Sequence, residues 1–376
     1  MKEQNKKLIS AVSIIVGTCI GSGFLGMPYV AARLGFFPTV AYLLFFGSII
    51  LILNLYFGEI VLRTDRDSHL VGYTKKYLGR KFSYVMRVAV IFSVYSALLS
   101  YMIGVGDSVS VLLFGGEEYG VIFGVLFGLM MAAFLYGGLK SLRIYERIGV
   151  ASILGLFFFT LVTFIGDVDP ANFFHFDASY IFLPIGVILF SLIEFYSLPE
   201  ARMVLRGSEH LLKRTIIIGT TVPIMFYIAF AFVVVGFMGQ DTPQISTFAL
   251  GNIFIFVGMV AMFTSYLAMG TALIDNYHLD MGITKRKSWI LGSFVPIGAY
   301  LGLNVMGALD FIRVLSFGGV IAGGTMVILV LMKIHKVKFW GVRIPEYKVI
   351  VNRGLTMFIA SVFVLAMIIE VSGLSP

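Results

Sequence analysis

Cysteine and charge are both scarce in this chain. Its one cysteine, Cys19, excludes an intrachain disulfide and any metal site built from several cysteines. Charged residues make up 13% of the 376 positions, about half the share found in an average soluble domain. Hydrophobic residues account for 59%, and the mean hydropathy is +0.96. This balance excludes an ordinary soluble protein and predicts one all-α polytopic membrane domain over residues 1–376.

Groups that could perform chemistry are few as well. All five histidines fall in predicted loops or at the ends of apolar runs, and no nucleophile stands in a recognisable pattern with a base. No cluster of His and Asp suggests a metal centre within the membrane. We therefore expect no enzymatic activity and no cofactor, apart from a Na⁺ ion if transport is coupled to sodium. The histidines are His69, His175, His210, His278 and His335.

Eleven apolar runs read as membrane-spanning helices, each of which needs about 20 residues to cross a bilayer. The run that begins at Leu8 is much longer than the apolar part of a signal peptide, so no cleaved signal is expected. An odd number of spans places the two termini on opposite sides. The predicted spans are 8–34, 36–62, 83–113, 119–139, 146–166, 180–205, 213–238, 251–278, 289–303, 308–332 and 353–371.

Lysine and arginine are confined to alternate loops. With the N-terminus in the cytoplasm, all 28 basic residues except Arg33 and Arg313 fall in inside segments. The outer loops carry acids instead, such as Glu117, Asp167 and Asp241. The pattern predicts a multi-pass protein of the plasma membrane with a cytoplasmic N-terminus and its C-terminus outside. Because topology accounts for the net charge of +8, we expect no nucleic-acid partner.

Two loops carry structure of their own. Residues 64–82 are polar and basic, with Tyr73, Tyr77 and Leu78 on one apolar side, which predicts an amphipathic helix on the cytoplasmic face. Residues 239–250 read GQDTPQISTFAL. They predict either a short re-entrant helix that acts as a gate or a plain connector.

The first span contains residues that a membrane helix tolerates poorly. Residues 17–28 read GTCIGSGFLGMP and hold four glycines, each of which disfavours helix by about 1 kcal/mol relative to alanine. Pro28 then removes a backbone donor. Glycines in membrane helices also mark close packing. A cluster followed by proline, however, favours a broken helix, which persists only where freed backbone groups meet protein, water, ions or substrate.

The sixth span, FLPIGVILFSLIEFYSLPEARMVLRG, is interrupted in a similar way. Glu194 falls near mid-membrane, and Pro199 follows five residues later. Aligning Pro199 with Pro28 places Glu194 opposite Gly23. Two broken spans that are five apart and enter from opposite sides predict an inverted repeat of five plus five spans. The repeats would cover residues 8–166 and 180–332, with 353–371 as an additional C-terminal helix.

Both breaks expose backbone groups that suit a zwitterion. The N–H groups at the start of an outgoing half-helix favour a carboxylate, and exposed carbonyls favour an ammonium group or Na⁺. Small residues at Gly21, Ser22 and Gly23 allow a ligand to approach the backbone. Glu194 is predicted to bind the substrate amine, to carry a coupling proton or to stabilise the unwound segment. Other acids lie nearer to helix ends, where solvated or ion-paired roles are expected: Glu59, Asp107 and Asp275.

Three stretches resemble one family of transporters. Residues 17–36, GTCIGSGFLGMPYVAARLGF, resemble the first-span signature of the amino acid/auxin permease group, most closely its hydroxy- and aromatic-amino-acid permease branch. SLIEFYSLPEARMVLRG is similar to the second break of these permeases, and FTSYLAMGTALIDNY to their eighth span. The group lies in the amino acid-polyamine-organocation superfamily. The resemblance implies the leucine-transporter-like fold, with spans one and six unwound at mid-membrane, and secondary transport of an amino acid.

Taken residue by residue, the resemblance implies a substrate site at the two breaks. The substrate carboxylate would bind at residues 20–23, and a span-three tyrosine, Tyr101, would hydrogen-bond to it. A tyrosine that merely packs between helices is the alternative for Tyr101. The resulting substrate-binding set is Ile20, Gly21, Ser22, Gly23, Tyr101, Ser191, Ile193 and Glu194.

The resemblance also implies a candidate sodium site. In sodium-coupled members of the wider class, a cation binds between spans one and eight. Gly17 and Ile20 match the carbonyl positions of span one, and Ala261, Thr264 and Ser265 match the pattern of span eight. The same hydroxyl groups are also suited to joining helices by hydrogen bonds.

Coupling to protons is an alternative to coupling to sodium. Some relatives are proton-coupled, and one such group uses a lysine in span five, which residues 148–165 lack. Glu194 departs from the uncharged residue that relatives often have, and is the candidate proton carrier. Aromatic residues are expected around the substrate side chain, and four span-ten glycines predict close helix packing. These residues are Phe190, Phe195, Tyr95 and Phe317, and Gly318, Gly319, Gly323 and Gly324.

The predicted function is secondary active import of an aromatic or other neutral amino acid, coupled to Na⁺ or H⁺ by alternating access. The alternative is a membrane receptor on the same fold that binds its ligand with little transport, similar to germinant receptors. A channel is disfavoured because no segment repeats like a selectivity filter. The expected partners are the amino acid and the lipid bilayer. The sequence does not set the oligomeric state, and a monomer is the expected functional unit.

Overall fold

The computed structural model describes residues 2–65, 68–137, 155 and 158–374. In these ranges the chain forms a bundle of apolar helices joined by turns and short 3₁₀ segments. Large apolar side chains such as Phe37, Leu44 and Val305 are exposed on its outer surface, as contact with lipid requires. The helices are α1 Lys2–Cys19, α2 Gly23–Leu34, α3 Phe36–Leu62, α4 Leu70–Leu78, α5 Arg80–Phe114, α6 Gly120–Gly137, α7 Phe158–Asp167, α8 Leu183–Leu192, α9 Ser197–Val204, α10 Leu212–Met238, α11 Asn252–Asp275, α12 Lys285–Val305, α13 Phe311–Phe317, α14 Gly324–Trp340 and α15 Arg353–Val371.

Most predicted spans correspond to helices of membrane length. In the described part of the chain, eight helical segments are long and apolar enough to cross a bilayer, and the bent pair of α1 and α2 makes a ninth. The shorter apolar helices α6 and α7 occupy the places of predicted spans four and five. Much of span five and the basic loop before it fall outside the described residues. The all-helical membrane fold is confirmed, whereas the total of eleven spans and the repeat boundaries stay predictions.

Both predicted breaks are present. The first lies at residues 20–22, where α1 and α2 are bent by 55°. The second lies at residues 193–196, between α8 and α9. Pro28 follows the break, as predicted, but it is buried inside α2, five residues beyond the start of this helix at Gly23. The glycines alone therefore mark the first break, and neighbouring helices support the proline within the second half of the span.

The two broken spans pack against each other in the centre of the bundle. The second half of span one, α2, contacts α8 and α10, and its first half, α1, contacts α9 and α10. On the other side of the bundle, α5 contacts α6 and α11. The two breaks therefore meet in one region, which α5 also borders.

Span ten is interrupted by a π-helical segment, Gly318–Gly323, between α13 and α14. A Cβ atom added to Gly319 would collide with the carbonyl oxygen of Gly186 and with the Phe190 backbone, both on α8. A Cβ on Gly323 would meet the side chain of Ile193 in the second break. The prediction that these glycines allow close packing is confirmed. π-helical turns often accompany functional sites, and this one lies against the broken span six.

The two loops with predicted structure are helical. Residues 70–78 form α4, and Tyr73, Tyr77 and Leu78 on its apolar side are all buried. The loop at 239–250 contains two 3₁₀ segments, Gly239–Asp241 and Ser246–Leu250. The second segment packs against α2 and α11. The amphipathic helix and a short helix in the outer loop are thus confirmed as structures.

Two of the three acids near helix ends, Glu59 and Asp275, have the expected environments. Glu59 is fully buried, and its carboxylate accepts hydrogen bonds from Arg63 Nε at 2.7 Å and from Lys338 Nζ at 2.7 and 2.9 Å. The backbone N–H of Val349 donates to the same group at 2.7 Å. Asp275 is exposed at the end of α11. Neither residue belongs to the region where the breaks meet.

Candidate functional site

One tyrosine joins the two breaks. The hydroxyl group of Tyr227, on α10, lies 2.7 Å from the carbonyl oxygen of Cys19 and 3.2 Å from that of Ser191. Cys19 is the last residue of α1, and Ser191 lies one residue before the end of α8. The carbonyl oxygens of the last turn of a helix accept no hydrogen bond from N–H groups of the same helix. The single O–H group of Tyr227 is therefore shared between the C-terminal ends of the two first half-helices and links them.

Two glycines of the first break allow close approach of other helices. A Cβ atom on Gly23 would overlap the side chain of Ser191 and lie 3.2 Å from its Cα atom. A Cβ on Gly21 would lie 2.9 Å from the hydroxyl oxygen of Tyr101, on α5. Neither glycine has a positive φ angle. Space, rather than backbone conformation, requires glycine at both positions.

A small cavity lies between the two breaks and α5. Its volume is about 30 Å³, enough for roughly one water molecule and far below the 300 Å³ or more of a typical ligand pocket. Both breaks, α5 and the Met269 side of α11 contribute to its wall. The side chains therefore close around this space, and an amino acid requires them to move apart. The lining residues are Thr18, Cys19, Gly21, Ser93, Val94, Ala97, Tyr101, Phe190, Ile193, Tyr196 and Met269.

The wall of the cavity has two polar regions separated by apolar side chains. At one region, the hydroxyl group of Tyr101 lies beside the backbone and hydroxyl groups of Ser22 and the hydroxyl group of Ser265. At the other, the hydroxyl oxygens of Ser93 and Tyr196 are hydrogen-bonded at 3.0 Å. Val94, Ala97, Phe190 and Ile193 supply apolar surface to the same wall. This distribution suits a ligand with polar groups at both ends and an apolar middle.

Glu194 is buried in the second break and has only neutral partners. Its Oε1 atom accepts hydrogen bonds from Asn54 Nδ2 at 2.7 Å and from Thr220 Oγ1 at 3.1 Å. Its Oε2 atom contacts the thiol group of Cys19. No lysine, arginine or histidine among the described residues forms an ion pair with this carboxyl group. The predicted position opposite Gly23 was wrong, since Gly23 faces Ser191 and Glu194 faces Cys19.

The Glu194 cluster joins four spans. Cys19 belongs to span one, Asn54 to span two, Glu194 to span six and Thr220 to span seven. All four residues are almost fully buried, with exposed fractions of 4% or less. Sequence reasoning missed Asn54 and Thr220 because neither stands in a motif. The only signal was that both are polar residues within long apolar runs, which marks a residue for interhelical hydrogen bonding.

The predicted substrate residues divide into two groups. Gly21, Tyr101 and Ile193 line the cavity. The others do not line it, and Ser22 is tied to α5 by a 2.7 Å hydrogen bond between its hydroxyl oxygen and that of Ser100. Their substrate-binding role stays a prediction. The residues that do not line the cavity are Ile20, Ser22, Gly23, Ser191 and Glu194.

The candidate sodium residues have separate local partners. The hydroxyl group of Thr264 donates to the carbonyl oxygen of Ala261 at 2.9 Å, within α11 itself. Ser265 lies beside Tyr101. Gly17 belongs to the helical part of span one, and Ile20 begins the break. The sodium site stays a prediction.

Of the four aromatic residues expected around the substrate side chain, only Phe190 lines the cavity. Phe195 is buried against the ring of Phe57 on α3, at a centroid distance of 5.8 Å. Tyr95 is hydrogen-bonded to the hydroxyl group of Tyr277 at 2.8 Å, and Phe317 is 43% exposed. These three do not line the cavity, and their place around the substrate side chain stays a prediction. The aromatic ring that it missed is Tyr196, the last residue of the second break.

Comparison with known proteins agrees with this geometry. A sequence model of the tryptophan/tyrosine permease family matches residues 4–247, which include both breaks, Tyr101 and the whole Glu194 cluster. The chain belongs to this family. It is accordingly an amino acid transporter and not an enzyme, and the predicted family resemblance is confirmed.

Curated relatives cover most of the chain. The tyrosine-specific transport system 1 of Haemophilus influenzae is 24% identical over 340 residues, covering 80% of this chain and 84% of that protein. The glutamine transporter 2 of Aliivibrio fischeri is 22% identical over 340 residues, covering 84% and 86%. The tyrosine permease of Enterobacter agglomerans is 25% identical over 283 residues, covering 70% and 67%.

A solved structure shares the fold. The inward facing conformation of Mhp1 superposes with a TM-score of 0.66 at 11% sequence identity, covering 98% of this chain and 89% of the other. At this level of identity the likeness establishes the architecture alone. It confirms the leucine-transporter-like fold that the family resemblance implied.

Proposed function

We propose that this permease imports a hydroxylated aromatic amino acid together with a proton, and that the substrate occupies the space between the two breaks. The observation that carries the proposal is the cavity wall, which has polar groups at two regions and apolar side chains between them. Binding there requires the wall to open from its present volume of about 30 Å³. Alternating access would supply that opening from one side of the membrane at a time.

The α-carboxylate would bind at the start of α2. The first N–H groups of a helix have no intrahelical acceptor and carry the positive end of the helix dipole. Gly23 begins α2 directly after the break, and Gly21 leaves the backbone uncovered. The hydroxyl group of Tyr101, which lies beside Ser22, would donate to the same carboxylate. The substrate amine would face the carbonyl groups of the first break.

The substrate side chain would extend toward Ser93 and Tyr196. Val94, Ala97, Phe190 and Ile193 offer the apolar surface that an aromatic ring requires. The two hydroxyl groups at the far region can exchange their mutual hydrogen bond for bonds to a phenolic hydroxyl group. Among the curated relatives, two that are named for tyrosine support this choice, and one that is named for glutamine supplies the competing substrate.

The proton would be carried by Glu194. A carboxyl group near mid-membrane with only neutral partners is costly to ionise and is usually functional. Its Oε2 atom contacts Cys19, two residues before Gly21 in the cavity wall. Substrate binding at the first break would therefore act on the same short segment as the carboxyl group. Binding both solutes more tightly than either alone is the condition for coupled transport.

The remaining parts of the proposal concern topology. Basic residues at alternate loops support insertion in the plasma membrane with a cytoplasmic N-terminus and an external C-terminus. The monomer remains the functional unit that we propose. The relatives named as transport systems do not favour a receptor with little transport. Exchange of labelled amino acid between the two sides of a liposome membrane would exclude that alternative directly.

Uptake into proteoliposomes tests the proposal. We expect a proton gradient, inside alkaline, to drive accumulation of tyrosine more strongly than of phenylalanine or glutamine. A sodium gradient of equal size at constant pH should drive none. Accumulation with sodium alone would instead favour the site at Thr264 and Ser265. If neither gradient drives any amino acid, the coupled-transport proposal fails.

Removing one hydroxyl group tests the orientation of the substrate. The change Ser93→Ala should reduce the preference for tyrosine over phenylalanine by roughly two- to tenfold, as the loss of one neutral hydrogen bond of about 0.5–1.5 kcal/mol implies. Competition between the two amino acids for uptake measures the preference. Ser96→Ala is the matched control, because Ser96 lies on the same helix but against Gly318 of span ten. An unchanged preference in the Ser93 variant would contradict the orientation.

A further inference from the structure

Lys333, on α14, is shielded from water and has no acidic partner among the described residues. Its side chain is 0% exposed. Its Nζ atom donates to Thr74 Oγ1 at 3.2 Å and lies 4.8 Å from the centroid of the Phe57 ring. An ammonium group has three donors, so one neutral acceptor and one ring face replace only part of its hydration. Lys333 differs in this respect from Lys338 on the same helix, which is paired with Glu59.

None of the charged groups on the helices around α14 forms an ion pair with Lys333 in the described part of the chain. Glu59 on α3 is bound to Arg63 and Lys338, and Glu370 on α15 accepts a hydrogen bond from Ser316 at 2.9 Å. His335 on α14 is hydrogen-bonded to Thr356 at 3.0 Å. Among the other basic residues on these helices, Arg87 is half-buried. The exposed ones are Lys75, Lys76, Arg80, Lys81, Lys336 and Arg353.

The short helix α4 forms the lid over Lys333. It packs against α14 and α5, and Thr74 and Tyr73 on its inner side are at most 1% exposed. The hydroxyl group of Thr74 also donates to the Leu70 carbonyl oxygen at 2.8 Å, so its position is fixed within α4. Gly79, with φ of 90°, joins α4 to α5. Movement of these nine residues would bring water to the amine.

We propose that the Lys333 amine is a proton-binding site, and that binding of the proton releases α4 from the face of α14. The docked position of α4 keeps the amine dry, whereas release gives a charged ammonium group its hydration. A proton that binds better to one of two states shifts the equilibrium toward that state. α4 therefore docks at high pH and is released as the pH falls.

Release of α4 would affect the transport site through the packing of aromatic rings. The Phe57 ring beneath Lys333 packs edge-on against Tyr73 of α4, at a centroid distance of 5.7 Å, and against Phe195, at 5.8 Å. Phe195 directly follows Glu194 in the second break. Departure of Tyr73 and Thr74 removes one side of this packing. A fall in pH would thus loosen the packing around the second break.

Amide hydrogen exchange of the full chain in lipid nanodiscs tests the proposal. After correction for the intrinsic pH dependence of exchange, protection of residues 70–78 should fall by about tenfold or more as the pH is lowered from about 9 to about 6. Lys333→Met should retain high protection throughout, because it cannot bind a proton. Lys333→Arg should show low protection throughout, because it keeps its charge. Lys336→Met, which alters an exposed lysine of the same helix, should follow the wild-type profile.

Two results would overturn the proposal. One is a wild-type profile that does not change with pH, and the other is a Lys333→Met profile that changes as the wild-type profile does. Protection of residues 212–238 in α10 reports global folding and should stay constant in every variant. If the methionine variant does not fold, the wild-type and arginine profiles decide, and an arginine variant with wild-type pH dependence rejects the assignment.

Discussion

Glu194→Gln should abolish proton-driven accumulation of the substrate while leaving exchange across the membrane intact. Glutamine keeps the size of the side chain and an oxygen that can accept from Asn54 and Thr220. It cannot take up or release a proton. The ratio of internal to external substrate should therefore fall to about one, since an uncoupled carrier only equilibrates its substrate. Uptake under an imposed pH gradient and counterflow without a gradient measure the two activities.

A second carboxyl group provides the matched control for this variant. Asp107 lies on α5, is half-buried, and adjoins Gly120 on α6 rather than the breaks. Asp107→Asn should leave proton-driven accumulation unchanged. The proposal is contradicted if Glu194→Gln still accumulates substrate in response to a pH gradient. Loss of counterflow together with accumulation would instead assign Glu194 to substrate binding or to the integrity of the break.

Gly23→Ala should abolish transport by forcing the two broken spans apart. The added Cβ atom would overlap the Ser191 side chain and lie 3.2 Å from its Cα atom. Backbone atoms of both half-helices must then shift, whereas Tyr227 holds their carbonyl groups together. Overpacking of a close contact typically costs about 1–3 kcal/mol. Uptake in proteoliposomes measures the loss, and thermal unfolding of the purified protein measures the destabilisation.

A compensating change distinguishes this contact from a general effect on the helix. Ser191→Gly removes the side chain that the new Cβ atom would overlap. The double variant Gly23→Ala with Ser191→Gly should therefore regain much of the stability and transport that Gly23→Ala loses. Such recovery is the signature of coupling between neighbouring positions. If the double variant is as inactive as Gly23→Ala, the contact is not the cause.

The sequence was sufficient to locate the breaks but not to align them. Glycine clusters disfavour helix wherever they occur in a membrane, so the interruption near Gly21 follows from local chemistry. The prolines were a poor guide to the alignment of span one with span six. Pro199 lies in the first turn of α9, where its missing N–H group is not needed, but Pro28 lies inside α2. Alignment on the two prolines consequently paired Glu194 with Gly23 instead of Cys19.

The partners of Glu194 illustrate why the site was only partly predictable. Asn54 and Cys19 lie 140 and 175 residues away from it in sequence. Thr220 lies 26 residues away, on the following long helix. Each is one polar residue in an apolar run, and many such residues do no more than join helices. Their convergence depends on how spans one, two, six and seven pack, which no local pattern records.

Composition and local pattern by themselves determined the membrane setting, the helical class and both interruptions. These properties follow from hydrophobicity and backbone propensity, which act over a few residues at a time. Tertiary packing alone decided that Gly23 meets Ser191, that Ser93 and Tyr196 form one polar region, and that α4 covers Lys333. Those contacts are set by the close fit of helices distant in sequence, because a dense interior admits few arrangements of its side chains.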